Sequence, residues 1–450
     1  MVFSSPAEKL PLLAAMELPS DSEAIVKRLS DNFLWVSVSF ALNHGCVTTP
    51  LVVASTLLGK DVAAFGNGVL YSFTLLSSLF LGAPLASVLG PKGGLVFGML
   101  FYCIYVAGFS LAALFKDVEW LMWTFFIVGS AFGGTAAGVL WTAQGGYFAS
   151  TSTQIAEASG EQREAVTARL SGNFAFIYLM FEVGSKLVFS LLQLLKVPTW
   201  EIGVLYMLLG LLGLGMMSQS INTTAGGAAG PDVRPRMSSK VLAAASLWSD
   251  PLIWLLCPTN LTFGFCAAFM NGTVNAEYAS KELGSDVVAF LGAITAATAA
   301  IMAIAFRPMA SRFGKGPVIS LGAFCFFSIP FCILVLGCCS NWGWGLILLY
   351  LLQGTGRAVY ESTNRATFSD FFTGEKTEGA FANCMLQSSF AFACCFFLQA
   401  KLSGGTLSVI VLVLSVSTPI CYGFALQLQR HRDKATADAM SESLHSSREC

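Results

Sequence analysis

The sequence predicts an all-α membrane protein of twelve transmembrane helices in two pseudo-symmetric six-helix halves. Three observations carry this reading. The chain is 55% hydrophobic and only 11% charged, whereas a soluble domain carries roughly a quarter charged residues. Twelve apolar segments run at 32–58, 65–89, 93–115, 121–148, 171–195, 201–220, 251–275, 285–306, 315–338, 343–368, 379–400 and 405–427, each close to the roughly 20 residues that cross a bilayer as a helix. The pattern Gly134-Thr135-x3-Val139-x2-Thr142-x-Gln144-x3-Phe148 returns without a gap as Gly354-Thr355-x3-Val359-x2-Ser362-x-Asn364-x3-Phe368. At a nearly constant offset, Pro84-x-Ala86-Ser87-x2-Gly90 is answered by Pro308-x-Ala310-Ser311-x2-Gly314, and Asn43 by Asn271. Three ordered matches mean two homologous halves.

Along the chain, residues 1–30 come first as a polar tail without an apolar run resembling a cleavable signal. Within it, Glu8 stands four residues before Leu12-Leu13, which resembles an acidic dileucine sorting signal. That would direct the protein to an endosomal, lysosomal or vacuolar membrane, with the plasma membrane as the alternative. Residues 31–220 make the N-terminal half. A linker at 221–250, rich in Gly, Ala, Ser and Pro, is expected to be flexible. Residues 251–427 make the C-terminal half, and 428–450 a second tail. The tails and even-numbered loops hold 17 Lys and Arg, the odd-numbered loops only five (Lys60, Lys116, Lys196, Lys281, Lys401). By the positive-inside rule both termini are cytosolic. The sequon at Asn222 then lies on the unglycosylated side.

Several function classes drop out. A net charge of −1 gives no support to a nucleic-acid partner. The 13 cysteines lie mainly in apolar segments without CxxC spacing and read as packing residues. The three histidines are scattered, no Gly-x4-Gly-Lys-Ser/Thr occurs, and no catalytic constellation stands out. No metal, cofactor or enzymatic activity is expected.

Polar residues inside the helices are the candidates for function, because such groups are costly in hydrocarbon unless they face a partner or a cavity. Helix 4 carries the overlapping small-residue pairs Gly129/Gly133 and Gly134/Gly138, suited to close helix approach, and then Trp141, Gln144 and Tyr147. Helix 1 contributes Asn43 and His44, helix 7 Asn271 and Asn275, and helix 10 Asn364. Helices 1, 4, 7 and 10 hold equivalent places and could line one central pathway. Lys186, Arg357 and Arg365 are the basic residues within helices. Each has an acid at i, i±4, Glu182 for Lys186 and Glu361 between the two arginines. These charges either line an ion or solute path or neutralise one another within their helices.

The twelve-helix plan resembles the major facilitator superfamily over nearly the whole chain. Leu89-Gly90-x-Lys92 before helix 3 and Trp141-Thr142-Ala143-Gln144-Gly145-x-Tyr147 in helix 4 are similar to the Unc-ninety-three-like branch. The turn with Gly90 and Lys92, and its repeat copy with Arg307, Arg312 and Gly314, resemble shortened copies of that superfamily's cytosolic gate loop. The first copy lacks its Asp and Arg. The resemblance implies the fold, while the polar and charged lining of helix 10 and the two-half design point to a secondary transporter of a small solute or ion working by alternating access. The alternative is an accessory protein that regulates an ion channel or assists a membrane partner's trafficking, as some relatives in that family do. The expected surroundings are a lipid bilayer, an unidentified solute or ion, and in the second case a membrane-protein partner.

Overall fold

The computed structural model describes residues 20–222, 245–335, 341–372 and 376–446. Helices follow the expected segments in order, with 65–89 divided between the second and the third: α1 Ser20–Leu57, α2 Lys60–Phe80, α3 Gly82–Leu114, α4 Glu119–Ser159, α5 Arg163–Leu194 and α6 Thr199–Ser218. In the second half these are α7 Pro251–Leu283, α8 Val288–Phe313, α9 Lys315–Val335, α10 in the pieces Ile347–Val359, Tyr360–Asn364 and Arg365–Phe371, α11 Lys376–Gln399 and α12 Gly404–Ser446. No strand occurs among the described residues. An even number of passes brings both ends of the chain to one end of the bundle, here the terminal end; the other is the far end. Cys338-Cys339, most of the linker and the Glu8, Leu12, Leu13 signal lie outside the described residues.

Several boundaries differ from expectation: α2 ends at Phe80, α3 already begins at Gly82, and α4 runs on to Ser159. Helix α1 begins at Ser20, inside the expected tail, and α12 continues to Ser446 through most of the other. The extension after Leu426 contains no Pro or Gly before Ser446, so nothing interrupts the helix as it leaves the apolar layer. Among the described residues, eleven helices are long and apolar enough to span a membrane. The exception is α10, whose middle carries Arg357, Glu361 and Arg365.

Small residues set the packing of α4. A Cβ on Gly134 would sit 2.1 Å from the Leu70 carbonyl oxygen, and one on Gly138 2.1 Å from Ser77 Oγ, so this pair lets α2 approach. Gly129 and Gly133 instead abut Tyr105 and Gly108 of α3. The two overlapping pairs therefore serve two neighbours on different faces.

The repeat is legible in the turns. Gly90 (φ 72°, ψ 168°) kinks α3 ahead of Pro91, and Gly314 (φ 83°, ψ 169°) does the same between α8 and α9. Gly59 (φ 103°, ψ 152°) and Gly284 (φ 92°, ψ 154°) form a second matched pair, before α2 and α8. Such dihedrals are open essentially to glycine alone. The second pair carries its own short sequence repeat, Leu58-Gly59-x-Asp61-Val62 against Leu283-Gly284-x-Asp286-Val287, a fourth match between the halves beyond the three expected.

One apolar core runs without a break from the first half into the far ends of α7, α8, α10, α11 and α12, through Phe269, Leu291, Leu349, Phe396 and Val411. A separate core fills the terminal end of the second half, around Ile253, Phe306, Ile319, Phe368 and Tyr422. The halves thus share a hydrophobic core at the far end and part into separate cores toward the termini.

Candidate functional site

The polar contacts between halves obey the same division. At the far end, Ser55 donates to the Asn271 carbonyl (2.7 Å), Asn275 Nδ2 donates to the Val52 carbonyl (2.9 Å), and Lys60 pairs with Glu277. Tyr350 donates to Asn275 Oδ1 at 2.6 Å and fixes that amide. The three α7 residues lie in a π-helical stretch, Met270–Ala279. Such wide turns leave the ordinary backbone pattern and often mark functional segments.

At mid-depth the halves meet through charge. Lys186 Nζ donates to Glu182 Oε1 (2.8 Å) and to Thr48 Oγ1 (3.2 Å). From α10, Arg357 reaches across to α5 with both terminal nitrogens on Glu182, each at 2.9 Å, and one of them also donates to the Tyr178 hydroxyl at 2.9 Å. Its Nε holds Glu361 Oε1 at 2.9 Å. Both expected intrahelical pairs with Glu182 and Glu361 therefore form, and Arg357 links them into one chain of four charges. Nothing in the residue pattern pointed to that bridge, because the spacing of residues on one helix says nothing of which helix it faces. Glu182 and Lys186 are almost wholly buried, while the Glu361 side chain keeps 25% of its exposure.

The expectation that Glu361 would sit between two arginines is overturned. Arg365 makes no ion pair with Glu361 or with any other described residue. The stretch Tyr360–Asn364 is a π turn, and its extra residue rotates the remainder of the helix by about 100°, the angle per residue. Helix α4 has no such turn, so repeat-related residues there and in α10 need not face alike.

Around the bridge stand rings. His44 lies 5.4 Å from each of Phe40, Trp141 and Tyr178 by ring centroids. Trp141 meets Tyr178 edge to face at 6.1 Å, and Phe174 stacks on Tyr178 at 6.2 Å. Tyr102 and Tyr178 carry no sequence pattern that singled them out; only the folded bundle brings them to within 5.8 and 5.4 Å of His44.

Other expected pathway residues are placed elsewhere. Asn43 turns its amide to the Gly210 and Met99 carbonyls, 3.1 and 3.3 Å away, and clamps α1 to α6 and α3. Asn364 donates to Asn260 Oδ1 (2.9 Å) within the second half. Tyr147 donates to the Ile221 carbonyl (2.7 Å) and accepts from Asn32 (2.6 Å), tying α4 to the start of the linker. Gln144 is half-buried. At the terminal end, Lys92 donates to the Ser220 carbonyl (2.6 Å), Arg312 lies over the Phe313 ring at 5.3 Å, and Arg307 is exposed.

Residues 63–220 match the family described as ion channel regulatory protein UNC-93, and residues 256–446 match the major facilitator superfamily. The chain is thus similar to the Unc-ninety-three-like branch in its first half and to the major facilitator superfamily in its second. It is 25% identical over 409 residues to protein unc-93 homolog A of Mus musculus, covering 81% of this chain and 85% of that one. It is 24% identical over 413 residues to UNC93-like protein 3 of Arabidopsis thaliana, covering 86% and 82%. Among solved structures, the nucleoside transporter NupG superposes with a TM-score of 0.64 at 13% identity, over 88% of this chain and 99% of that one. A peptide transporter POT in complex with sulfate gives 0.64 at 15% identity, over 92% and 99%. At these identities the structures speak for the fold alone: the chain is a multi-pass helical membrane protein of the major facilitator fold.

Proposed function

We propose that this protein is a secondary transporter moving a small solute or ion by alternating access between its halves. The observation that carries the reading is the mid-membrane bridge from Arg357 to Glu182, set where the shared core ends and the halves part. Each side of the bridge keeps a neutral pair when it opens, because Glu182 retains Lys186 and Arg357 retains Glu361. Rocking therefore strands no lone charge in a low-dielectric interior, which would otherwise cost several kcal/mol, by the rough figure for a buried ion. With both termini cytosolic, the end at which the halves have separate cores faces the cytosol, and the Gly90 and Gly314 turns lie at that end. Glycosylation at Asn222 would invert that orientation.

The test is uptake into liposomes by the purified protein under an imposed proton or potassium gradient, across a panel of solutes, with Glu361→Gln beside the wild type. Gradient-driven uptake lost in a well-folded variant supports transport. A second reading, an accessory protein regulating an ion channel or escorting a membrane partner, draws support from the ion-channel-regulatory family that residues 63–220 match. It predicts silence across the panel and a co-purifying membrane protein.

A further inference from the structure

The terminal end of the first half carries a charged cleft that transport does not use. It has a volume of about 550 Å³ and is walled by Lys27, Arg28, Asp31 and Trp35 of α1 and by Gln219 and Ile221 just past α6. Hydrogen bonds fix its inner face. Asn32, also in the wall, accepts from the Ile221 N–H (2.8 Å) and donates to the Tyr147 hydroxyl (2.6 Å), which donates in turn to the Ile221 carbonyl (2.7 Å). Lys92 reaches the carbonyl of Ser220, between Gln219 and Ile221, at 2.6 Å. The cleft is therefore preformed, and a ligand need not order it first. Its charges are unpaired. Lys27 and Arg28 are exposed and make no ion pair or hydrogen bond among the described residues. Asp31 lies one turn from Lys27 in the same wall without pairing with it. Arg28 also borders a neighbouring cleft that holds Glu157 of α4, and leaves that acid unpaired as well.

The reach of the cleft decides which anion fits. From Lys27 to Trp35 the helix rises about 12 Å, so the wall runs from the polar start of α1 into its apolar stretch. Trp35 is 41% exposed, and its indole N–H donates to the Met216 carbonyl (2.8 Å) in the last turn of α6. A tryptophan so placed is typical of the membrane–water interface. Leu212, one turn deeper than Met216 on the same side of α6, is 56% exposed and open to acyl chains. A free phosphate would engage the upper end alone, whereas a molecule with an anionic head and apolar chains engages both. We propose that this cleft binds the headgroup of an anionic phospholipid from the cytosolic leaflet. Lys27 and Arg28 take the phosphate, Asp31 accepts from a hydroxyl or ammonium of the headgroup, and the chains pass Trp35 along α6. Basic pockets between transmembrane helices on the cytosolic side commonly hold such headgroups. The site stands apart from the Arg357 bridge and does not rest on the transport reading. It takes the terminal end as cytosolic, where the anionic leaflet lies.

The test is lipid binding to the purified full-length protein in a neutral maltoside detergent, read by thermal unfolding and native mass spectrometry. Dioctanoyl phosphatidylserine and phosphatidylglycerol are compared with dioctanoyl phosphatidylcholine, which has the same chains, and with glycerol 3-phosphate, which has the anion alone. At least one of the two anionic lipids should bind more tightly than both comparison molecules. Lys27→Gln and Arg28→Gln should each weaken that binding about fivefold, the contribution of one basic residue at a membrane surface, and the double variant should weaken it further. Both side chains are exposed and unpaired, so their replacement leaves the fold intact. Lys434→Gln, at an exposed lysine of α12 in the other half, should change nothing. Equal binding of phosphatidylcholine, or undiminished binding to the double variant, overturns the inference. So does an equal loss in Lys434→Gln, which would mean diffuse attraction to a charged surface. Glycerol 3-phosphate binding as tightly as the lipids would make this a free-anion site and overturn the lipid assignment.

Discussion

The bridge makes an unequal prediction for its two ends. Glu182→Gln removes the sole carboxylate from Lys186, a side chain 1% exposed, whose remaining partner is the Thr48 hydroxyl at 3.2 Å. Breaking a buried pair by deleting one member costs about 3–5 kcal/mol. Arg357→Gln is milder. Glu182 keeps Lys186 at 2.8 Å, and Glu361, a quarter exposed, remains within reach of water. The loss is then that of charge-assisted hydrogen bonds, about 1.5–3 kcal/mol. The gap of about 1.5 kcal/mol is roughly tenfold in the unfolding constant. Adding Lys186→Met to Glu182→Gln removes the stranded ammonium and should restore stability relative to Glu182→Gln alone, since apolar replacement of a buried pair is often neutral. Reversible unfolding in mixed detergent micelles measures all three. If Arg357→Gln costs as much as Glu182→Gln, or if Lys186→Met brings no recovery, then the two pairs do not neutralise themselves independently.

The packing makes three further predictions. Gly138→Ala should lower stability by about 1–3 kcal/mol, the usual cost of overpacking, because its Cβ would meet Ser77 and Ser78; Gly145→Ala, with open space around it, is the control, and equal melting temperatures would contradict the close approach of α2. Gly90→Ala and Gly314→Ala should each cost about 1–3 kcal/mol of backbone strain and should act alike if the turns are true repeat partners, as a pair of unfolding curves would reveal. Joining Lys60→Cys to Glu277→Cys with a short bismaleimide should arrest transport while leaving solute binding from the terminal end intact; unhindered turnover in the cross-linked protein would argue against rocking about the closed far end.

Class, helix number and two-half design were legible in the chain because they rest on local properties. Hydropathy over about 20 residues decides whether a segment can enter lipid, and a repeat is visible without knowing where its copies lie. The i, i+4 pairs Glu182–Lys186 and Arg357–Glu361 were readable for the same reason. The Gly59 and Gly284 turns were also readable in principle, but their shared motif is only five residues long and does not stand out until the matched dihedrals are seen.

What the tertiary structure alone decided is which faces meet. A spacing of four places two charges on one helix side but leaves the partner helix open, so the reach of Arg357 to Glu182 and Tyr178 had to come from assembly. Asn43 and Asn364 looked like pathway residues, yet the bundle turned their amides onto neighbouring helices of their own halves. The π turn at Tyr360–Asn364 changed the phase of α10 and set Arg365 apart from Glu361, a shift no ungapped sequence repeat can show. Sequence determined what must be shielded from lipid, and packing chose what shields it.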